Sequence, residues 1–280
     1  MATPARVVLV SDTHLSPDAP EAEANWAAVA RYVVAAAPDF VIHLGDLSLD
    51  GARNAADLDY ARRQLDRLPV PFYVVPGNHD VGDNPFPGAP DGSSVDDDRR
   101  QRWLDVVGAD RWSLAFDGWT LLAINAQLAG SGLAAEEEQW SWLAEQVRLC
   151  GDGQRIALVS HKPLTAEEAE LAAAPPYRFL PAAARSRLTE IFGGRSLPLV
   201  LSGHVHQFRQ LSLSGTAHLW APTTWAVLPD DVQPVLGAKR CGVVSVVFDS
   251  STPPEAKFAE PDGIVQLTVR TDIPDPYHRH

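Results

Sequence analysis

Cysteine is scarce in this sequence, which has two cysteines, Cys150 and Cys241, in 280 residues. Two cysteines are too few for a disulfide framework and too few for a thiolate metal site. The disulfide-rich class of small secreted domains is therefore excluded. The scarcity also favours a reducing compartment, so we expect a cytoplasmic protein.

Long apolar runs are missing as well. The longest apolar stretch, residues 26–40, is interrupted by Arg31, Pro38 and Asp39. A membrane helix needs ~20 apolar residues without such breaks. The residues before Val7 include a single basic side chain and leave no room for a signal peptide. We therefore expect neither a membrane span nor an export signal.

Basic residues are outnumbered, since 23 Lys and Arg stand against 36 Asp and Glu, which gives a net charge of −13 and a pI of about 5.0. This charge repels the backbone of nucleic acids and the surface of anionic membranes. We expect no nonspecific binding to either polyanion. An anionic small molecule would need positive charge concentrated locally at its binding site.

The rest of the composition is that of an ordinary globular protein, with 45% apolar and 21% charged residues. The length allows one large or two small domains and does not by itself require an oligomer. Because no repeat or linker divides the chain, we predict a single domain over residues 1–270. Residues 271–280 contain two prolines and no periodicity, and we expect a mobile tail there.

Strand and helix patterns alternate through the first 80 residues. Apolar runs at residues 7–10, 40–44 and 72–75 predict buried strands, and the apolar spacing at residues 21–37 and 55–68 predicts amphipathic helices. Such alternation predicts βαβ units, a mainly parallel sheet and a ligand site beyond the carboxyl ends of the strands.

Antiparallel strands are expected later in the chain. Asp117-Gly118 lies between apolar runs at residues 112–116 and 119–124, and residues 208–213 and 217–220 form a second candidate hairpin. Further strands are predicted at residues 156–159, 197–201, 243–248 and 264–269, a helix at 136–149, and a surface excursion at 81–98. The predicted fold class is therefore α/β with a mixed sheet.

Five apolar runs are each followed at once by side chains that bind metals. These are Asp12-x-His14, Gly45-Asp46, Gly77-Asn78-His79-Asp80, His161 and Gly203-His204-x-His206, and they contain five of the nine histidines. In an extended segment, residues i and i+2 point the same way, so each separated pair can aim two ligands at one point. Each motif is weak evidence by itself, and their combination predicts a metal centre.

The five motifs, in this order, resemble the signature of the calcineurin-like metallophosphoesterase superfamily over residues 12–206. The resemblance implies a ββ sandwich of mixed sheets flanked by helices, and metal-dependent hydrolysis of phosphate esters. The segments SDTHL, LGDL, VPGNHD and SGHVH look most like bacterial class III cyclic-nucleotide phosphodiesterases and related glycerophosphodiesterases. One departure is Lys162, which stands where many relatives have a second histidine after His161.

The resemblance also implies two metal ions. One ion would be bound by Asp12, His14, Asp46 and His206, and the other by Asp46, Asn78, His161 and His204, with Asp46 bridging. A carboxylate can span two cations ~3.5–4 Å apart, and a hydroxide that bridges them would then attack the phosphorus. Nitrogen and oxygen ligands suit Mn, Fe or Zn better than Cu(I).

His79 is expected to act in catalysis without binding metal. The equivalent histidine of the superfamily faces the phosphate and serves as proton donor or stabiliser for the leaving oxygen. An imidazole suits that role because its unperturbed pKa lies near the working pH. For Asp80 two roles stay open, namely orienting His79 or capping the helix or loop that follows.

A small phosphate ester is the expected substrate, and a diester is expected to be preferred over a monoester. A monoester dianion carries more charge, whereas residues 47–51, 81–98 and 205–208 contain no Lys or Arg and leave Lys162 as the obvious cation. Arg178 and Arg209 would weaken this argument if they folded back toward the site.

The alternatives to a diesterase are a phosphomonoesterase of the same fold, a protein-binding scaffold and a different binuclear hydrolase. A non-catalytic scaffold is expected to lack metal ligands, and none of the seven is missing. A hydrolase similar to the metallo-β-lactamases would need a dense His-x-His-x-Asp-His cluster, which the sequence does not contain.

Several other polar and aromatic residues have simpler explanations. His43 lies inside a predicted strand and is expected to be a hydrogen-bonded core residue. Trp220 and Trp225 follow the last motif and are placed to flank a substrate, although packing in the core is the usual role of tryptophan. Asp96 and the two acids after it fit the start of a helix.

Overall fold

A computed structural model describes residues 4–116, 118–151 and 153–269 of the chain. Within these ranges the strands are β1 (Ala5–Val10), β2 (Phe40–His43), β3 (Phe72–Val74), β4 (Trp112–Phe116), β5 (Trp119–Ile124), β6 (Arg155–Ser160), β7 (Leu199–Ser202), β8 (Arg209–Leu213), β9 (Thr216–Trp220), β10 (Ala226–Val227), β11 (Val243–Phe248), β12 (Glu255–Ala259) and β13 (Leu267–Thr268). The helices are α1 (Pro20–Ala36), α2 (Ala55–Leu65), α3 (Asn78–Val81), α4 (Asp97–Val106), α5 (Ala134–Leu149), α6 (Glu168–Ala173) and α7 (Ala182–Phe192).

Most strands belong to two mixed sheets. The first has the order β12-β11-β1-β2-β3 and the second has the order β4-β5-β6-β7-β9-β8, while β10 and β13 form a short parallel pair. β1, β2 and β3 are parallel, as are β5, β6, β7 and β9. The antiparallel pairs β4-β5 and β8-β9 are the two predicted hairpins. The predicted βαβ start and both hairpins are therefore confirmed.

The two sheets pack face to face around one apolar layer. Val7 and Leu9 of β1 lie in this layer together with Leu121 of the second sheet. The alternate residues Val8 and Val10 pack on the other side with residues of α1 and α2. A strand that is buried on both faces reads as an uninterrupted apolar run. Since α5 and α7 cover the outer face of the second sheet, the fold is the expected sandwich flanked by helices.

The C-terminal part of the chain differs from the prediction in two places. The sequence does not predict β12, because exposed Glu255 and Lys257 interrupt its apolar residues at the edge of a sheet. The strand expected at residues 264–269 shortens to Leu267–Thr268. The reason is that Val265 uses its N–H and C=O to bind the Asn25 side chain instead of a neighbouring strand.

Two further expectations concern the excursion at residues 81–98 and the tail. The excursion is irregular apart from the end of α3 and the start of α4, and the Asp96 side chain accepts a hydrogen bond from the Arg99 N–H at 2.8 Å. The acids there therefore begin a helix, as predicted. The tail predicted at residues 271–280 lies outside the described residues. In the described ranges, no helix combines the length and apolar character required to cross a membrane.

Asn25 of α1 ties distant segments together near the end of β1. Its side chain is fully buried and donates to the carbonyls of Thr224, Trp225 and Val265 at 2.9, 3.1 and 3.0 Å. Its oxygen accepts from the Val265 N–H at 2.7 Å. The Thr224 N–H donates in turn to the Ser11 carbonyl at 3.1 Å. Helix α1 therefore holds the segment after β9 against the end of β1.

We expect Asn25→Ala to lower the free energy of unfolding by about 2–4 kcal/mol, because it leaves several buried backbone groups without partners. Glu21→Ala, an exposed change on the same helix, should alter it by less than about 0.5 kcal/mol. Urea unfolding of both variants measures the difference. Equally small effects would show that Asn25 does not hold these segments together.

Candidate metal centre

The polar residues that follow five strands meet at one end of the sandwich. Asp12 follows β1, Asp46 follows β2 and Asn78 follows β3 in the first sheet, whereas His161 follows β6 and His204 follows β7 in the second. Parallel strands direct their carboxyl ends to the same side of a sheet. Side chains that are far apart in the sequence are thereby brought within contact of one another.

The loops approach the centre through left-handed backbone. The φ angle is 52° at Asp12, 46° at His14, 51° at Asp46, 68° at His204 and 54° at His206. Such angles are uncommon outside glycine and cost about 1–3 kcal/mol each. The two i, i+2 pairs therefore do not converge along extended segments, as the sequence argument assumes. They converge because the chain turns tightly at both members of each pair.

The first cluster contains four buried side chains, Asp12, His14, Asp46 and His206, whose ligand atoms lie within 4.8 Å of one another. His206 Nε2 is 3.3 Å from Asp12 Oδ1 and 3.3 Å from His14 Nε2. The same His14 nitrogen is 3.8 Å from Asp46 Oδ2. These four residues are the set that the sequence predicts around one ion.

The second cluster shares Asp46 with the first and adds His161 and His204. His161 Nε2 lies 3.4 Å from Asp46 Oδ2 and 3.2 Å from His204 Nδ1. It is also 3.2 Å from Asn78 Oδ1. The structure thus brings the seven expected ligands together in two groups that meet at Asp46.

Backbone carbonyls orient three of the imidazole rings. The contacts are Leu44 to His161 Nδ1 at 2.7 Å, Ala226 to His206 Nδ1 at 2.6 Å and Tyr177 to His204 Nε2 at 3.1 Å. Because a carbonyl oxygen can only accept, each of these nitrogens carries a proton. In the neutral rings, the opposite nitrogens therefore present lone pairs to the two clusters.

The arrangement of these imidazole lone pairs favours a bound cation. His161 Nε2 and His204 Nδ1 are both acceptors in neutral rings, yet they lie 3.2 Å apart. Asp12 Oδ1 is buried and lies 3.3 Å from His206 Nε2, which is also an acceptor when the His206 ring is neutral. Buried acceptors without donors are costly unless positive charge lies among them. The donor set therefore fits metal ions held by nitrogen and oxygen.

The protonation of the histidines reflects the same electrostatic field. Burial lowers the pKa of His161, but the facing Asp46 carboxylate outweighs burial and raises this pKa to about 9. Burial and the neighbouring imidazoles lower the pKa values of His14 and His204 well below the usual value. In the protein alone, a proton on His161 thus balances Asp46. A metal ion that bound there would displace this proton.

His79 lies beside the first cluster and lines the neighbouring cavity. Its ring centroid is 4.5 Å from that of His14, and its backbone N–H donates to Asp46 Oδ1 at 2.9 Å. The ring Nδ1 is 2.8 Å from the Leu49 carbonyl. Nδ1 therefore carries a proton in the neutral ring, and Nε2 is then the acceptor nitrogen.

The Asp80 carboxylate binds backbone groups of two loops beside the centre. Its carboxylate accepts from the backbone N–H groups of Leu47, Ser48 and Gly77 at 3.1, 2.8 and 2.9 Å, and from the Ser48 hydroxyl at 2.6 Å. Burial, together with the nearby charge of Asp46, raises the pKa of Asp80 to about 6. Asp80 joins the loop after β2 to the loop after β3. Through the Gly77 N–H, the side chain also caps α3. That Asp80 orients His79 stays a prediction.

Two glycines of the motifs are required by close packing. A Cβ atom on Gly77 would overlap the Asp46 carboxylate. A Cβ atom on Gly203 would overlap the Ser11 hydroxyl and approach Asp12 Oδ2 to 2.9 Å. Glycine at these positions allows one loop to lie directly against the candidate ligands of another.

A cavity of about 460 Å³ adjoins both clusters, and Phe86, Tyr177 and Trp225 form the aromatic part of its wall. The Phe86 and Tyr177 rings are 5.7 Å apart, and Trp225 lies 4.7 Å from the His14 ring. Trp225 therefore has the position beside the cavity that the sequence suggests for it.

Two other residues lie in the interior of the protein. Trp220 is fully buried and packs in the core instead of flanking the cavity. His43 is a buried residue whose Nε2 contacts the Thr13 hydroxyl, as expected.

The distribution of basic residues corrects one premise of the diester prediction. Lys162 is fully buried and forms an ion pair with Asp83 at 2.5 Å. Arg178 is a wall residue of the cavity, whereas Arg209 pairs with Glu170 at 2.7 Å. Lys162, the obvious candidate cation from the sequence, is therefore already paired with Asp83. Because Arg178 lies in an irregular segment between α6 and α7, no periodic pattern reveals its position.

Comparison with known proteins gives a family match and two informative relatives. Residues 5–208 match the model of the calcineurin-like phosphoesterase family. The serine/threonine-protein phosphatase CPPED1 of Pongo abelii is 29% identical over 182 residues, which are 61% of this chain and 54% of that protein. The probable glycerophosphodiester phosphodiesterase GpdQ of Arcobacter nitrofigilis is 24% identical over 181 residues, 61% of this chain and 57% of that protein. The chain thus matches little more than half the length of these relatives.

Solved structures share the fold. A dimetal phosphatase from Danio rerio has a TM-score of 0.64 at 14% identity and covers 91% of this chain and 96% of its own. The purple acid phosphatase PPD1 from yellow lupin has a TM-score of 0.65 at 16% identity and covers 95% of this chain and 53% of its own. These likenesses concern the fold, whereas the family model matches most of the sequence. The chain belongs to the calcineurin-like phosphoesterase family.

Proposed function

We propose that this protein hydrolyses phosphate esters with two metal ions. One ion would be held by Asp12, His14, Asp46 and His206, and the other by Asp46, Asn78, His161 and His204. The observation that carries the proposal is the pair of acceptor clusters that share the Asp46 carboxylate. Mn, Fe and Zn are the metals that best suit this donor set.

Two ions bound by these residues would supply the charge that activates water near neutral pH and stabilises the attacking and leaving oxygens. His79 donates a proton to the leaving group. The Leu49 carbonyl fixes its ring through Nδ1, and a second proton on Nε2 is the one that passes to the leaving oxygen. Asp80 supports this arrangement from a distance, because it holds together the two loops that carry Asp46 and His79.

Small phosphodiesters are the substrates that we propose as preferred. The aromatic part of the cavity wall offers room for an organic group on the far side of the phosphorus. Asp50 also lines the cavity and disfavours additional negative charge near it. The name of the relative GpdQ, a probable glycerophosphodiester phosphodiesterase, supports the same class.

A phosphomonoesterase is the second candidate. Arg178 contributes a positive charge to the cavity wall, which would help to bind the dianion of a monoester. The relative CPPED1 is named a serine/threonine-protein phosphatase, and phosphatases act on monoesters.

A cytoplasmic location is proposed from the cysteines. Cys150 and Cys241 are both free, and Cys241 is buried. Free thiols are usual in a reducing compartment. The binding partner that we propose for the protein in the cytoplasm is its substrate, a small phosphate ester.

Fully loaded protein is expected to contain two metal ions per chain. His161→Ala or Asn78→Ala should lose mainly the second ion, because each removes a ligand from one cluster and leaves the other intact. His218→Ala, which changes a buried histidine of β9 outside both clusters, should retain both ions. Elemental analysis of the purified proteins measures the content. One ion or none in loaded wild-type protein would contradict the two-metal assignment and favour a scaffold.

His79→Asn is expected to keep a normal metal content and to lower turnover by about 10²–10⁴-fold, the usual contribution of a positioned acid or base. The loss should be larger for an alkyl leaving group, which needs the proton, than for p-nitrophenolate, which does not. Steady-state kinetics with both kinds of ester measure the difference. If His79→Asn instead loses a metal ion, the histidine is a ligand and the proposed role is wrong.

The substrate class is tested with matched nitrophenyl esters at identical metal loading. We expect kcat/KM to be higher for bis(p-nitrophenyl) phosphate than for p-nitrophenyl phosphate. The reason is that the diester brings less negative charge into the cavity that Asp50 lines. The leaving group is the same in both compounds. A clear preference for p-nitrophenyl phosphate would reject the diesterase and support the second candidate.

A further inference from the structure

Arg178 is a buried charge on the cavity wall, and no acidic residue in the described ranges pairs with it. Only 6% of its surface is exposed, yet it lines the cavity next to the two clusters. Its buried Nε has no hydrogen-bond partner, and no carboxylate within the described ranges forms an ion pair with the guanidinium. A buried guanidinium in this state is costly for the free protein.

The other basic residues near the cavity are already engaged. Arg99 donates to the carbonyls of Ala52 at 3.0 Å and Gly92 at 2.6 Å. Arg53 is 43% exposed and lies 3.9 Å from Asp50. Arg178 differs from both, because it is buried, lines the cavity and, within the described ranges, has an Nε without a hydrogen-bond partner.

The position of Arg178 is linked to the second cluster. The preceding residue, Tyr177, contacts His204 Nε2 through its backbone carbonyl at 3.1 Å, and its ring lines the cavity opposite Phe86. The segment that carries Arg178 is thus anchored to a candidate metal ligand. The guanidinium lines the same cavity as His14, Asp46 and His204. A guanidinium prefers anionic oxygens as partners.

We propose that Arg178 binds a second negative charge of the substrate, in addition to the charge that is neutralised at the two clusters. The inference rests on the proposed phosphoesterase function and adds a second anionic oxygen to what the cavity recognises, either in the preferred diesters or in the monoesters of the second candidate. The second charge belongs either to the phosphoryl group of a monoester or to a separate anionic group, such as a carboxylate, on the organic part of a diester. In both cases the guanidinium meets an anionic oxygen.

Three esters with the same leaving group test the proposal. They are p-nitrophenyl propyl phosphate with one charge, p-nitrophenyl 2-carboxyethyl phosphate with two, and p-nitrophenyl phosphate with two at pH 8. Arg178→Met should lower kcat/KM by roughly 10- to 100-fold for at least one doubly charged ester, the range for loss of a charged hydrogen bond. The propyl diester should change less than about threefold, and the control Arg53→Met should change all three by less than about threefold, because Arg53 is exposed and weakly paired.

The pattern among the esters identifies the source of the charge. A loss confined to p-nitrophenyl phosphate assigns Arg178 to the phosphoryl group, and a loss confined to the carboxyethyl diester assigns it to a separate anionic group. Equal losses on all three esters, or none on any, would overturn the proposal. A structural arginine would also lower the melting temperature when replaced, whereas we expect Arg178→Met to leave it unchanged or raised, because an unpaired buried charge is removed.

Binding by metal-loaded protein separates this inference from the proposed function. Inorganic phosphate should bind Arg178→Met more weakly than wild type by roughly 10- to 100-fold if the second charge is on the phosphoryl group, whereas dimethyl phosphate should bind both proteins alike. If the second charge is instead on a separate anionic group, 2-carboxyethyl methyl phosphate should show the same weaker binding to Arg178→Met in place of inorganic phosphate. Absence of turnover in wild type with these binding differences intact would reject the phosphoesterase and keep the anion site. Turnover in wild type without any binding difference would reject the role of Arg178 alone.

Discussion

Repulsion among buried acceptors is the constraint on which the centre depends. Three imidazoles are fixed by backbone carbonyls. The second nitrogens of His161 and His206 then face carboxylate or amide oxygens, and those of His161 and His204 face each other at 3.2 Å. Without added charge, a proton on His161 partly relieves this repulsion, since Asp46 raises its pKa to about 9. Two cations would satisfy all the acceptors at once. The tautomers of the rings, more than the presence of His and Asp residues, prepare this site for metal.

The loops can hold such an arrangement because other parts of the fold restrain them. Left-handed backbone at Asp12, Asp46 and His206 stores local strain, which persists only where the surroundings enforce it. Asp80 supplies part of that enforcement by binding backbone N–H groups of two loops, and Asn25 supplies another part by holding the segment after β9 against β1. The strain and the restraints are thus distributed around the centre.

Much of this centre is visible in the sequence because its strands are buried on both faces. Such strands read as apolar runs, and the polar residues at their ends, such as Asp12 and Asp46, are conspicuous after them. What the sequence does not reveal depends on contacts between segments. The partners of Asp80 are backbone groups, which leave no trace in side-chain patterns, and Arg178 approaches the cavity only because its irregular segment is anchored at His204. The sequence does not predict the edge strand β12 for a similar reason. This strand forms because it pairs with β11, although its exposed charged residues are unusual for a strand.

Anomalous diffraction from crystals of the manganese-loaded protein tests the central claim most directly. The account predicts two manganese peaks ~3.5–4 Å apart, with the Asp46 carboxylate between them, the spacing of ion pairs that catalyse phosphate chemistry. One peak should lie among Asp12, His14 and His206, and the other beside His161 and His204. A single peak, or two peaks that do not share Asp46, would contradict the two-metal centre.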